Sequence, residues 1–184
     1  LDIGGSCAGI LSFMLVSWLE LPAWRWFLAL VPLWLMAMPP SSWKARSIPA
    51  LLIVVASGLA WSQDQHLLIS PDATDDVDVA CSPHQKVEFA RFPYGEQNVY
   101  VNGVEHQQLL GPKDLAASEY DFPHQHRVGK AGLPPYENVL IIGAGTGNDV
   151  AAALARGAKH IDAVEIDPAI ARFGRLNHRA KPYD

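Results

Sequence analysis

The stretch at residues 138–168, NVLIIGAGTGNDVAAALARGAKHIDAVEIDP, constrains this chain more than any other. Residues 139–142 form a short continuous apolar run, which suits a strand buried on both faces of a parallel sheet. Gly143, Gly145 and Gly147 follow at once. Residues 149–156 are good helix formers, and Gly157 ends them. Residues 161–164 read as a second buried strand closing on Glu165. The order is strand, glycine turn, helix, strand, carboxylate. Glycines let the backbone turn sharply and let a ligand approach it. The helix start presents free N–H groups and a positive dipole end. A carboxylate at the second strand tip can accept from both hydroxyls of a ribose. A pyrophosphate fingerprint would need glycine at position 148, where the chain has Asn148. The pattern therefore suits a nucleoside cofactor without a pyrophosphate, such as a sulfonium of the S-adenosylmethionine type. The plainer alternative is the glycine turn of an unliganded α/β domain.

Upstream lies a region of different periodicity. Residues 86–92 (KVEFARF) alternate apolar and polar side chains, as a half-buried strand does. In 98–107 (NVYVNGVEHQ), Asn102 and Gly103 separate two alternating runs and predict a type I′ hairpin. Residues 132–136 (GLPPY) are a loop before the glycine-turn segment. Residues 70–79, with Asp72, Asp75, Asp76 and Asp78, read as a solvated linker.

Residues 1–63 are a different kind of polymer. Their only charges are Asp2, Glu20, Arg25, Lys44 and Arg46, and all 6 tryptophans of the chain lie among them. The uncharged stretches 3–19, 26–43 and 47–63 each reach the roughly 17 residues at which a bilayer can be spanned. Trp18, Trp24, Trp26, Trp43 and Trp61 sit near their ends, where indole rings meet lipid headgroups. Three spanning helices and a lipid bilayer as partner are expected. Lys44 and Arg46, in the loop after the second stretch, favour a cytoplasmic position for that loop. That would place the following domain outside, whereas its chemistry calls for the cytoplasm. The expected location is a multi-pass membrane protein with its α/β domain cytoplasmic.

The glycine-turn segment, together with SPHQKVEF at 82–89 and VNGVEHQ at 101–107, resembles the spermidine synthase family. It is most similar to the membrane-anchored branch, whose helices precede a polyamine aminopropyltransferase-like domain, and DIGGSCAGILSF at 2–13 resembles a helix of that anchor. The resemblance implies a small β domain, then a Rossmann-like domain binding decarboxylated S-adenosylmethionine, and transfer of its aminopropyl group to a diamine such as putrescine. It implies that Gln85 contacts the thioether end of the cofactor, that Gly143 and Gly145 line the aminopropyl arm, that Glu165 holds the ribose, and that Tyr120 lies near the amine substrate. Two departures accompany it. The family has an aspartate where this chain has Thr146, which cannot pair with an ammonium, and Asp149, one helical turn on, is the candidate substitute. The family's catalytic acidic motif is expected beyond Asp184, so the chain reads as a truncated fragment that is inactive alone.

The expected fold is thus transmembrane helices over 1–63, a linker over 64–80, a small β-hairpin region over 81–131, and the start of a Rossmann-like domain over 132–184. The cofactor-binding candidates are Gln85, Gly143, Gly145, Thr146, Gly147, Asp149 and Glu165. A net charge of −5 excludes nucleic-acid binding by bulk charge. Cys7 and Cys81 are too few for a thiolate zinc site. His124 and His126 read as solvated loop histidines rather than metal ligands, and no metal is expected. Two other functions compete with aminopropyl transfer: methyl transfer from intact S-adenosylmethionine, and non-catalytic nucleoside binding. The sequence leaves a homo-oligomer open.

Overall fold

The structure is a computed structural model that describes residues 2–37, 43–65 and 76–184. It divides the chain into two compact units, 1–70 and 71–184. The linker expected over 64–80 falls largely on residues 66–75, which lie outside the described residues.

The first unit contains α1 (Asp2–Trp18), α2 (Ala23–Ala37) and α3 (Trp43–Gln65). α2 packs on α3, and Phe13 meets Trp26 edge to face at 5.3 Å. Ile3, Leu11, Met36 and Leu51 are exposed. The expectation of three spanning helices is corrected here: among the described residues, no helix is long and apolar enough to cross a membrane. At 1.5 Å per residue, the 17 residues of α1 and 15 of α2 reach only about 26 and 23 Å, against a hydrocarbon core of about 30 Å. α3 has 23 residues, but Lys44, Arg46 and Asp64 lie within it and its apolar part runs only over 48–61. Lys44 and Arg46 fall inside α3 rather than in a loop. The topology argument and the multi-pass membrane location lose their basis with the spans.

The second unit opens with an antiparallel meander of β1 (Asp76–Cys81), β2 (Lys86–Arg91), β3 (Gln97–Val101) and β4 (Val104–Gln108). β1 falls in the stretch whose aspartates predict a linker. Yet Asp76, Val77, Asp78 and Val79 alternate, and Arg91 on the neighbouring strand meets Asp76 at 2.9 Å and Asp78 at 2.8 Å. Asn102 and Gly103 turn the chain between β3 and β4 with φ of 49° and 80°, as a type I′ turn requires. Glu88 is fully buried, and Lys86, two residues earlier on the same face, stands 3.0 Å from its carboxylate.

Short helices α4 (Pro112–Leu115) and α5 (Phe122–Gln125) lead to β5 (Asn138–Ile142), α6 (Asn148–Ala155), β6 (His160–Val164) and α7 (Pro168–Asn177). β5 and β6 pair in parallel, and α6 connects them. They are not buried on both faces as expected. Val139 and Ile141 are half-buried, while Leu140 and Ile142 are exposed, because α6 covers one face of this two-stranded sheet. α7 starts where the Asp167 carboxylate accepts from the N–H of Ala169 at 2.9 Å, with Pro168 in the first turn. Its Ala169, Ile170 and Phe173 lie on one helical face and close a core with Ala80, Val87, Phe89, Val99 and Leu109. The rings of Phe89 and Phe173 stack at 5.3 Å. α7, from the expected Rossmann-like segment, and the meander therefore share one core.

A buried polar network fixes the start of α6. The Asn148 carboxamide donates to the carbonyl of Gln108 at 2.7 Å and accepts from the N–H of Leu110 at 3.1 Å. It also lies 3.0 Å from Nε2 of His178, whose Nδ1 accepts from the N–H of Ala180. With Nδ1 an acceptor, Nε2 carries the proton and donates to Asn148. Asn148 and His178 are both fully buried, and burial pushes the imidazole below its ordinary value of 6.5. The unfolded chain then takes up a proton that the folded chain refuses, so stability holds above about pH 6.5 and falls as the pH drops below it. Thermal melts between about pH 7 and about pH 5 should show this decline, and His178→Gln should make it shallower. Equal pH profiles for the two proteins would exclude the role given to His178.

Candidate functional site

The turn between β5 and α6 is enclosed. Ala144, Gly145, Thr146, Gly147 and Asn148 are buried, and only Gly143 of the three glycines is exposed. Every backbone N–H from Gly143 to Gly147 already has a partner. Those of Gly143 and Ala144 donate to the carbonyl of Val164, at 2.8 and 3.0 Å. Gly145 donates to Oε2 of Glu165 at 2.8 Å, Thr146 to Oε1 of Gln107 at 2.8 Å, and Gly147 to the carbonyl of Ala144 at 2.9 Å. Within 143–147 no backbone N–H is left free, and the free N–H groups expected at the helix start could only come from Asn148 onward.

Glu165, at the end of β6, is the centre of the arrangement. Its other oxygen, Oε1, accepts from the N–H of Asp167 at 2.8 Å. Each oxygen thus receives one backbone donor and keeps a second acceptor position, since a carboxylate offers about four. Glu165 is half-buried, so these positions can meet a ligand. Gln85 joins the network one step away: its Nε2 donates to Oδ2 of Asp167 at 3.0 Å, beside the hydroxyl of Ser82 at 2.7 Å. Gln85 thus reaches Glu165 through Asp167, and Glu165 in turn holds the N–H of Gly145.

Thr146 is spoken for. It is fully buried, and its hydroxyl donates to Oε1 of Gln107 at 2.8 Å. The Nε2 of Gln107 donates to the hydroxyl of Tyr120 at 3.2 Å. A side chain on Gly145, at φ 57°, would run into this carboxamide. Asp149 stands apart, in the first turn of α6. It lines a cavity of about 400 Å³ with Tyr120, Pro123, His124, Tyr136 and β5 residues including Asn138 and Val139. Burial raises the Asp149 carboxyl above its ordinary value and lowers that of His124, while the neighbouring charge of each opposes its shift.

His124 is buried against Tyr136, at 5.8 Å between rings, and is not the solvated histidine expected. His126 is exposed. Among the described residues no cluster of histidine, cysteine, aspartate or glutamate could hold a metal ion. Asp121 accepts from Nε of Arg156 at 2.7 Å and from its terminal nitrogen, which ties the turn carrying Tyr120 to the end of α6. The guanidinium holds the Asp121 carboxyl below its ordinary value.

Sequence reasoning missed Gln107, Asp167 and Tyr183 as members of the site; the Tyr183 hydroxyl donates to the carbonyl of Gly145 at 2.9 Å. Asp167 had a signal, because aspartate before proline marks a helix start. Gln107 and Tyr183 act over long sequence separations and had none. No protein-family model matches the chain, and no curated protein matches it. The resemblance to the spermidine synthase family rests on the quoted residues alone.

α7 also packs directly against the turn, and a methyl group on Gly174 would fall on the backbone of Thr146, its carbonyl oxygen first. Alanine normally stabilises a helix interior by about 1 kcal/mol over glycine. Here Gly174→Ala should instead lower the melting temperature, since forced overpacking typically costs about 1–3 kcal/mol. A raised melting temperature would show that α7 does not lie against the turn.

Proposed function

We propose that the glycine turn and Glu165 bind the adenosyl part of decarboxylated S-adenosylmethionine, and that the protein transfers an aminopropyl group to a diamine such as putrescine. The observation that carries the cofactor class is the full use of the N–H groups of Gly143 to Gly147, set beside a carboxylate with two acceptor positions left. A pyrophosphate needs free backbone donors at such a turn. A ribose needs an acceptor for two hydroxyls, and Glu165 offers one. The resemblance to the spermidine synthase family supports the aminopropyl reaction.

In that reaction a neutral amine attacks the carbon next to the sulfonium. A carbon–nitrogen bond forms, the carbon–sulfur bond breaks, and the thioether leaves with the electron pair. The amine's proton passes to a general base, which the family resemblance places in a further acidic motif. This chain's residues contribute by placement, which can supply a large share of a bimolecular barrier. Glu165 orients the ribose, Gln85 holds Asp167 beneath it, and Tyr120 stands on Gln107 facing the amine side. Asp149 is the carboxylate available to the cofactor's ammonium, in place of the aspartate that Thr146 replaces.

Methyl transfer from intact S-adenosylmethionine is the second reading. The observation that favours it is Thr146, which is neutral, buried and bound to Gln107, so the turn itself carries no counter-charge for the lone ammonium of the decarboxylated form, whereas the amino-acid end of the intact form carries its own carboxylate.

Calorimetry with decarboxylated S-adenosylmethionine, the intact form and NAD tests the assignment. The decarboxylated form should bind best, because a carboxylate on the intact form would face Asp149, and NAD should not bind. Glu165→Ala should weaken adenosyl binding by roughly tenfold to a hundredfold, the range for losing a charge-assisted hydrogen bond. Preference for the intact form would select the methyl reading. Binding of NAD, or equal affinity in Glu165→Ala, would remove the proposed site.

A further inference from the structure

The carbonyl of Gly145 and the N–H of Thr146 belong to one peptide unit, and separate parts of the fold hold its two ends. The hydroxyl of Tyr183 donates to the Gly145 carbonyl at 2.9 Å and approaches that of Ala144 at 3.4 Å. Oε1 of Gln107, on β4, accepts the Thr146 N–H. The Tyr183 ring lies over Gly147, where an added Cβ would come within 3.1 Å of the ring and 2.5 Å of Pro182. Burial, and next the charge of Glu165, push the phenol up to about 12, so it remains a hydrogen-bond donor at neutral pH.

This peptide needs such holding. It follows a glycine at φ 57°, and glycine crosses between backbone regions that other residues find costly. A flip would take the Thr146 N–H away from Gln107 and the Gly145 carbonyl away from Tyr183. It would also disturb the neighbouring Gly145 N–H, which is one of the two donors that orient Glu165.

We propose that Tyr183 is a positioning residue of the nucleoside site: its hydroxyl holds the Gly145–Thr146 peptide in place and, through the Gly145 N–H, keeps Glu165 aimed at the ligand. The ligand half of this statement rests on the nucleoside reading above, whereas the peptide half does not. The two halves are tested in the full chain with Tyr183→Phe, which keeps the ring over Gly147 and removes only the hydroxyl, and with Tyr183→Ala, which removes both. Amide hydrogen exchange is read by NMR, and affinity for 5′-methylthioadenosine by calorimetry. In Tyr183→Phe, exchange at Gly145 and Thr146 should rise roughly threefold to tenfold, the factor carried by one neutral hydrogen bond, while exchange at Phe89 and Val150 stays unchanged. Affinity for 5′-methylthioadenosine should fall by a similar factor. Tyr183→Ala should show the same local change and also melt lower. Unchanged exchange at Gly145 and Thr146 in both variants would overturn the proposal. So would an equal rise throughout the unit, which is what a merely structural tyrosine gives. Faster local exchange in a protein whose wild type does not bind 5′-methylthioadenosine would uphold the peptide half and refute the nucleoside reading.

Discussion

A buried glycine turn must find a partner for each backbone N–H, because an unpaired buried donor costs as much as a lost hydrogen bond. In this protein the decisive pairing is Gly145 N–H to Glu165, which joins the turn after β5 to the end of β6. It brings the carboxylate to the turn and leaves each of its oxygens one acceptor position. The other loop donors are satisfied by Val164, Gln107 and Ala144, so no N–H from Gly143 to Gly147 is left for a ligand, while Glu165 keeps two acceptor positions.

The rest of the second unit positions that pairing. Asp167 serves two ends at once: its N–H braces Glu165 while its side chain starts α7 and receives Gln85 and Ser82. α7 reaches from this point into the meander core through Ile170 and Phe173, and its Gly174 sits against Thr146. On the opposite side, β4 delivers Gln107 to the turn, and Asn148 fastens the start of α6 to the end of β4 and to His178. The small sheet and the parallel pair thus act as one body around the turn.

Much of this arrangement was legible in the sequence where the signal is local. The hairpin at Asn102 and Gly103 follows from two residues that tolerate positive φ. The β5–α6–β6 order follows from apolar runs punctuated by glycine. β1 was obscured because its aspartates outweighed the alternation of Val77 and Val79, and the partner that accommodates them, Arg91, lies on the next strand. His124 reads as polar, and only tertiary packing on Tyr136 buries it. In the first unit, apolar composition alone overstates helix length. α1 and α2 are too short, and α3 is apolar only over 48–61. Gln107 and Tyr183 were invisible because their partners are 38 or 39 residues away for the bonds to the turn. Thr146 read as a cofactor contact, yet its hydroxyl and N–H both face Gln107.

The central claim is that Glu165 accepts the hydroxyls of a ribose. Its most direct test is the affinity of 5′-methylthioadenosine and of its 2′-deoxy analogue for the wild type and for Glu165→Ala. The account predicts that the wild type loses roughly tenfold or more on removal of the 2′-hydroxyl, and that Glu165→Ala binds both compounds equally weakly. The same ratio of affinities in the two proteins would mean that Glu165 does not touch the sugar.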